Sequence, residues 1–153
     1  MYKKHILKDL KNVFFIAFLL TTLYSGAASA AERYAITGKI ANIRSGPGTR
    51  YEVLVKAEKN YPLDFIERSG NWYKVRDFEG DVGWVHKSLI KKMSAVITVK
   101  SKCNVRAGPG TGERIVFICE RGVPFEVIKR KGNWINVRHA DGYEGWIHKS
   151  LVW

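Results

Sequence analysis

The run Asn42-Ile43-Arg44-Ser45-Gly46-Pro47-Gly48-Thr49 returns 62 residues later as Asn104-Val105-Arg106-Ala107-Gly108-Pro109-Gly110-Thr111. The same offset carries Pro62 onto Pro124 and Gly70-Asn71-Trp72 onto Gly132-Asn133-Trp134. It also carries Val75-Arg76 onto Val137-Arg138, Gly83-Trp84 onto Gly145-Trp146, and His86-Lys87-Ser88-Leu89 onto His148-Lys149-Ser150-Leu151, with no gap anywhere. A period this long without insertions predicts two compact units, and not a solenoid of shorter repeats. The boundary falls near Lys91 to Ala95, which sets the units at 34–92 and 95–153.

Within each unit the pattern is that of short strands. Residues 34–43, 53–57, 63–67, 72–77 and 82–86 are rich in β-branched and aromatic side chains. Between them lie Gly-Pro-Gly, Glu58-Lys59-Asn60, Ser69-Gly70-Asn71 and Glu79-Gly80-Asp81, all turn-forming. No apolar stripe keeps helical spacing for more than about two turns. Five strands with regular turn signals predict an all-β fold, with each unit a small barrel that has few free edges.

Outward from the repeat, residues 1–30 have a different character. Lys3, Lys4, Lys8 and Lys11 precede the apolar run 13–23, and small residues follow, with Ala28-x-Ala30 fitting a cleavage site. These are the three parts of a secretory signal peptide, and the apolar run is short for a span, which needs about 20 residues. Its removal takes away four lysines and Asp9 and lowers the formal charge from +12 to +9. No transmembrane span is expected after cleavage. An exported protein of this charge is drawn to anionic envelope polymers and lipid head groups, and nucleic acid is not an expected partner.

The combination of Asn-hydrophobic-Arg-x-Gly-Pro-Gly-Thr, a mid-domain Gly-Asn-Trp and a late Gly-Trp-hydrophobic-His resembles bacterial SH3 domains of the SH3b type. Both units carry all three elements. The resemblance implies a tandem pair of five-stranded SH3-like barrels with a non-catalytic role in the cell envelope, commonly binding peptidoglycan or targeting an attached enzyme to it. The chain departs from the common architecture in having no peptidase, amidase or lysozyme domain within its 153 residues.

Catalytic and cofactor chemistry find no support in the residues. Cys103 and Cys119 lie in no nucleophile turn, His86 and His148 recur at turn positions, and no His/Cys/Asp cluster has metal-ligand spacing. The chain is therefore expected to be neither an enzyme nor a metal or cofactor protein. Cys103 and Cys119 replace Ala41 and Ala57 of the first unit. A paired replacement of two small residues suggests neighbouring positions, where an oxidising compartment would favour a disulfide; the alternative is two separate buried thiols.

Strand alternation sorts the remaining candidates. Tyr73, Val75, Val85, Ile135, Val137 and Ile147 point to the core, so Trp72, Lys74, Arg76 and Trp84, with Trp134, Arg138 and Trp146, share the outer face. Tryptophans interleaved with Lys and Arg suit stacking on sugar faces or peptide planes and attraction of carboxylates. The same rings also suit capping the barrel ends. Arg44 and Arg106 either contact an anionic ligand or bridge to a carboxylate such as Glu52 or Asp141. The function expected is an exported binding module for cell-wall glycopeptide or another envelope component. The alternative is an adaptor that holds peptide segments of an envelope protein.

Overall fold

The computed structural model describes residues 32–153, so the expected signal peptide lies outside the described residues. The first unit contains β1 (Arg33–Ile36), β2 (Ile40–Arg44), β3 (Val53–Glu58), β4 (Pro62–Ser69), β5 (Trp72–Arg76), β6 (Val82–His86) and β7 (Ile90–Lys92). The second contains β8 (Ala95–Ile97), β9 (Cys103–Arg106), β10 (Ile115–Cys119), β11 (Pro124–Lys131), β12 (Trp134–Arg138) and β13 (Glu144–His148). A single 3-10 turn follows β6 (Lys87–Leu89) and β13 (Lys149–Leu151).

Each unit forms its own antiparallel sheet. The order is β3-β2-β6-β5-β4-β1-β7 in the first and β10-β9-β13-β12-β11-β8 in the second. The strand count differs from five for a local reason. The expected strand 34–43 breaks at Thr37 to Lys39, so that β1 pairs with β4 and β7 while β2 pairs with β3 and β6. One stretch of chain thus serves both ends of the sheet. The closing β7 is a three-residue strand, and its second-unit counterpart is a single bridge, Thr98 to Val152.

The alternation read from sequence holds. Val75, Val85, Ile135, Val137 and Ile147 are buried. Tyr73 faces the same way but is half-buried, edge-on to Tyr34 and Phe65 at centroid distances of 5.6 and 5.2 Å. Two separate cores result, one around Ile36, Leu63, Val75 and Val85, the other around Val105, Phe125, Val137 and Ile147.

The Gly-Pro-Gly turn is fixed by contacts as well as by composition. A Cβ on Gly46 would collide with the ring of Tyr51, and one on Gly108 would come within 2.7 Å of the Glu113 carboxyl carbon. Asn60 adopts a left-handed φ of 69° at the position where the second unit has Gly122 at 88°. Asn is one of the few residues besides Gly that tolerate this conformation. Between the units, the Arg33 guanidinium lies 3.8 Å from the Trp153 ring, and Arg121 pairs with Glu79 at 3.0 Å.

Candidate functional site

The β5–β6 hairpin brings Trp72 opposite His86 and Lys74 opposite Trp84, and the β12–β13 hairpin sets Trp134 opposite His148. Each Trp–His pair meets edge-on at 5.3 Å. Beside this pair runs the start of the Gly-Pro-Gly loop, because β2 lies along β6 and β9 along β13. The result is a groove in each unit. In the first it is lined by Asn42, Arg44, Thr49, Trp72, His86, Ser88 and Leu89, with Ile40 and Ala41, and has a volume of about 390 Å³. In the second it is lined by Asn104, Arg106, Thr111, Trp134, His148, Ser150 and Leu151 and measures about 220 Å³. Seven lining positions correspond one to one at the offset of 62.

The histidines have a defined proton position. His86 Nδ1 accepts the Ser88 backbone N–H at 3.4 Å and lies 2.7 Å from Ser88 Oγ. His148 does the same with Ser150 at 3.3 and 2.8 Å. A backbone amide only donates, so Nδ1 holds the lone pair and the proton of the neutral ring sits on Nε2. The ring therefore caps the 3-10 turn with one nitrogen and keeps an N–H donor on the other.

The arginines do not reach Glu52 or Asp141, the carboxylates considered from the sequence. Arg44 Nη1 donates to the carbonyls of Thr49 at 2.9 Å and Tyr51 at 2.8 Å, and Arg106 Nη1 donates to Glu113 O at 2.7 Å. The loop folds back over the guanidinium and offers it free carbonyl oxygens, which a turn of glycine and proline leaves unpaired. Asp141 instead lies in the β12–β13 turn, where its backbone N–H donates to His139 Nδ1 at 3.3 Å.

Four of the predicted site residues thus line the grooves: Arg44, Trp72, Arg106 and Trp134. Trp84 and Trp146 lie beside them on the same outer face, paired across strands with Arg44 and Arg106. Both are half-buried, under Lys74 at 5.8 Å and Lys129 at 5.6 Å. Lys74 is engaged by Glu67 at 3.0 Å, and Arg138 by Glu144 at 2.5 Å. Arg76 is exposed opposite Val82 at the far end of the hairpin. These last three residues line neither groove.

Sequence reasoning missed Asn42 and Asn104, Thr49 and Thr111, and the His-x-Ser pairs as groove residues. Their repetition was visible, but a turn and a groove wall leave the same mark in sequence. Asn104 is the most telling of them. Its Oδ1 is buried and has no hydrogen-bond partner. An orphaned acceptor costs about 1–3 kcal/mol, so its presence in a groove points to a donor supplied from outside the chain.

The cysteines are direct neighbours across the β9–β10 ladder, as Ala41 and Ala57 are across β2–β3. The expected bridge is not formed here, and both are free, buried thiols. Burial, with Cys103 alongside, pushes the Cys119 thiol up to about 12. Among the described residues no three His, Cys, Asp or Glu side chains are placed to hold a metal ion.

The chain is 26% identical over 151 residues to "Putative N-acetylmuramoyl-L-alanine amidase YrvJ" of Bacillus subtilis, covering 92% of this chain and 29% of that protein. It is 36% identical over 52 residues to "Probable cell wall amidase LytH" of Staphylococcus epidermidis, covering 33% of this chain and 18% of that one. The chain therefore spans less than a third of the length of these relatives. Among solved structures, an NlpC/P60 family protein from Bacillus cereus aligns with a TM-score of 0.39 at 11% identity, over 79% of this chain and 55% of that one. NlpC2 from Trichomonas vaginalis aligns with a TM-score of 0.37 at 12% identity, over 81% and 48%. The family model described as "Bacterial SH3 domain" matches residues 37–92 and again 99–153, and the chain belongs to that family, with the domain present twice.

Proposed function

We propose that the chain is a non-catalytic cell-wall-binding module that grips glycopeptide through its two equivalent grooves. The observation that carries this reading is the recurrence of the same seven groove residues in both units, with the buried acceptor of Asn104 left open in the second. Each groove combines an indole face, an imidazole N–H donor, hydroxyls and a side-chain amide, beside a guanidinium. No carboxylate lines either one. That set suits a ligand with hydroxyls, amides and carboxylates, which describes a glycan strand bearing short peptides. The relatives, one named as a cell wall amidase and the other as an N-acetylmuramoyl-L-alanine amidase, support the same partner. In this reading the module is exported, and it positions the wall polymer without cleaving it.

Two weak grooves on one chain gain by effective concentration, about 100-fold or more when both engage one polymer. Retention on purified peptidoglycan sacculi at low and high salt tests the proposal. Binding that survives about 0.5 M salt and drops in Trp72→Ala and Trp134→Ala is expected, because groove contacts are not screened as surface charge is. Retention that vanishes at physiological salt and ignores both tryptophans would reduce the interaction to net charge.

A further inference from the structure

The first unit contains a second cavity that shares no residue with its groove. It measures about 270 Å³ and opens at the β5–β6 turn end of the barrel. Ile43, Leu63 and Val75 form its floor, and Leu54, Val55 and Val82 its walls. The floor residues belong to the buried core, while Leu54 and Val82 are 49% and 41% exposed, so an apolar shaft leads inward from the surface. Its polar lining consists of two carboxylates, Asp77 and Asp81.

The two acids are differently employed. Asp77 is buried and holds the turn: its Oδ1 accepts the N–H groups of Glu79 and Asp81, both at 2.9 Å, and its Oδ2 accepts the Tyr61 hydroxyl at 3.2 Å. A carboxylate accepts about four hydrogen bonds, so Oδ2 retains capacity. Asp81 is exposed, and among the described residues no Lys, Arg or His lies within ion-pair distance of its carboxylate. On a chain with 26 basic residues against 14 acidic ones, an unpaired carboxylate at the mouth of an apolar shaft is a specific feature.

The second unit supplies the control. At the offset of 62, Val55 becomes Phe117, Leu63 becomes Phe125, Asp77 becomes His139 and Asp81 becomes Tyr143. Phe117 stacks on Phe125 at 6.3 Å, Tyr143 packs on Phe117 at 6.1 Å, and His139 meets Phe125 at 5.6 Å. His139 keeps the turn-holding role by accepting the Asp141 N–H at 3.3 Å, so the turn does not require the acids. The same fold is thus stable with aromatic rings where the first unit has a shaft and two carboxylates.

We infer that this cavity of the first unit binds an aliphatic primary ammonium group, the side chain of lysine or of another diamino acid within a peptide. The methylene stem lies against Leu54, Val55 and Val82, and the ammonium meets Asp81 and the free side of Asp77. The size agrees, since a cavity of about 150 Å³ already accommodates benzene. The charge agrees, since an ammonium drawn partly from water needs a carboxylate partner. The inference is independent of the groove reading.

Methyl NMR of the protein titrated with Nα-acetyl-L-lysine methylamide tests it. Saturable shifts of Leu54, Val55 and Val82 in the millimolar range are expected, with Val105 and Val116 of the second unit unmoved. The Nε-acetylated probe should bind about tenfold more weakly, and Asp81→Asn should cost about fivefold or more. Val55→Phe with Leu63→Phe, which copies a packing already stable in the second unit, should abolish the shifts. A parallel titration with an Ala-γ-Glu-Lys peptide distinguishes a cell-wall peptide from a protein lysine as the natural source, by which binds more tightly. Asn42→Leu with Asn104→Leu, which alters the grooves alone, should leave all of these values unchanged, so a failure of the groove reading is separable. Equal shifts in both units, equal binding of the acetylated probe, or an unchanged affinity in Asp81→Asn would each overturn the inference.

Discussion

The two units agree around the groove and differ around the cavity of the first unit. Across the offset of 62, Asn, Arg, Thr, Trp, His, Ser and Leu recur around the groove, whereas Val55, Leu63, Asp77 and Asp81 are replaced by Phe117, Phe125, His139 and Tyr143. Stability alone would make the opposite demand, with a fixed core and a free surface, because interiors are close-packed and sensitive to single methylenes. Seven kept groove positions beside a cavity end that varies support the proposed reading of the groove. The interior has been free to fill in one copy and to stay open in the other.

This contrast gives graded expectations. The largest effect is in the filled core: Phe125→Ala should lower stability by about 3–5 kcal/mol. Leu63→Ala, at the equivalent site beside an existing cavity, should cost about 2 kcal/mol, the low end for such truncations. Denaturant unfolding of the separate units measures both, and equal losses would break the distinction. Next come the glycines that admit the neighbouring strand. A Cβ on Gly145 would sit 2.9 Å from Arg106 O and 2.5 Å from Val105 Cγ1. One on Gly83 would sit 3.1 Å from Arg44 O and 2.5 Å from Ile43 Cγ2, and Ile43 borders the cavity and has room to turn. Gly145→Ala should therefore cost about 1–3 kcal/mol and Gly83→Ala distinctly less.

Smaller still is the loop clamp. Arg44 satisfies two carbonyls and Arg106 one, so Arg44→Ala should lower stability by about 1 kcal/mol and Arg106→Ala by less, both being partly exposed. The last contrast is Cys103 and Cys119 against Ala41 and Ala57. We propose that the pair oxidises in the exported protein, so thiol titration after denaturation should find none free. In the reduced protein, burial holds Cys119 protonated up to about pH 12. Alkylation at pH 8 should then be far slower folded than unfolded, and should accelerate as pH rises toward that value.

Much of the fold was legible in the repeat, because an ungapped offset fixes unit length and alternation fixes which side chains turn inward. The break at Thr37 to Lys39 was not legible: β1 and β2 differ only in which partners they find, and those partners are distant in sequence. The site was half legible. Trp72 and Arg44 declared themselves by chemistry, while His86 and Ser88 read as a turn, which they also are. The cavity left a trace in the four positions where the copies differ in size, but a volume difference becomes a cavity only when β2, β3, β4, β5 and β6 are placed together.

The central claim is that the recurring groove binds the wall polymer, and the asparagines test it most directly. Asn104 Oδ1 is buried without a partner, so replacing it with the similarly shaped leucine removes a penalty from the fold and an acceptor from the groove. Sacculus binding and thermal melting of Asn104→Leu, and of Asn42→Leu with Asn104→Leu, should be measured together. The account predicts that Asn104→Leu alone melts at or above the parent's temperature and that the double variant binds about tenfold or more weakly. A double variant that melts like the parent and binds sacculi as tightly would contradict it.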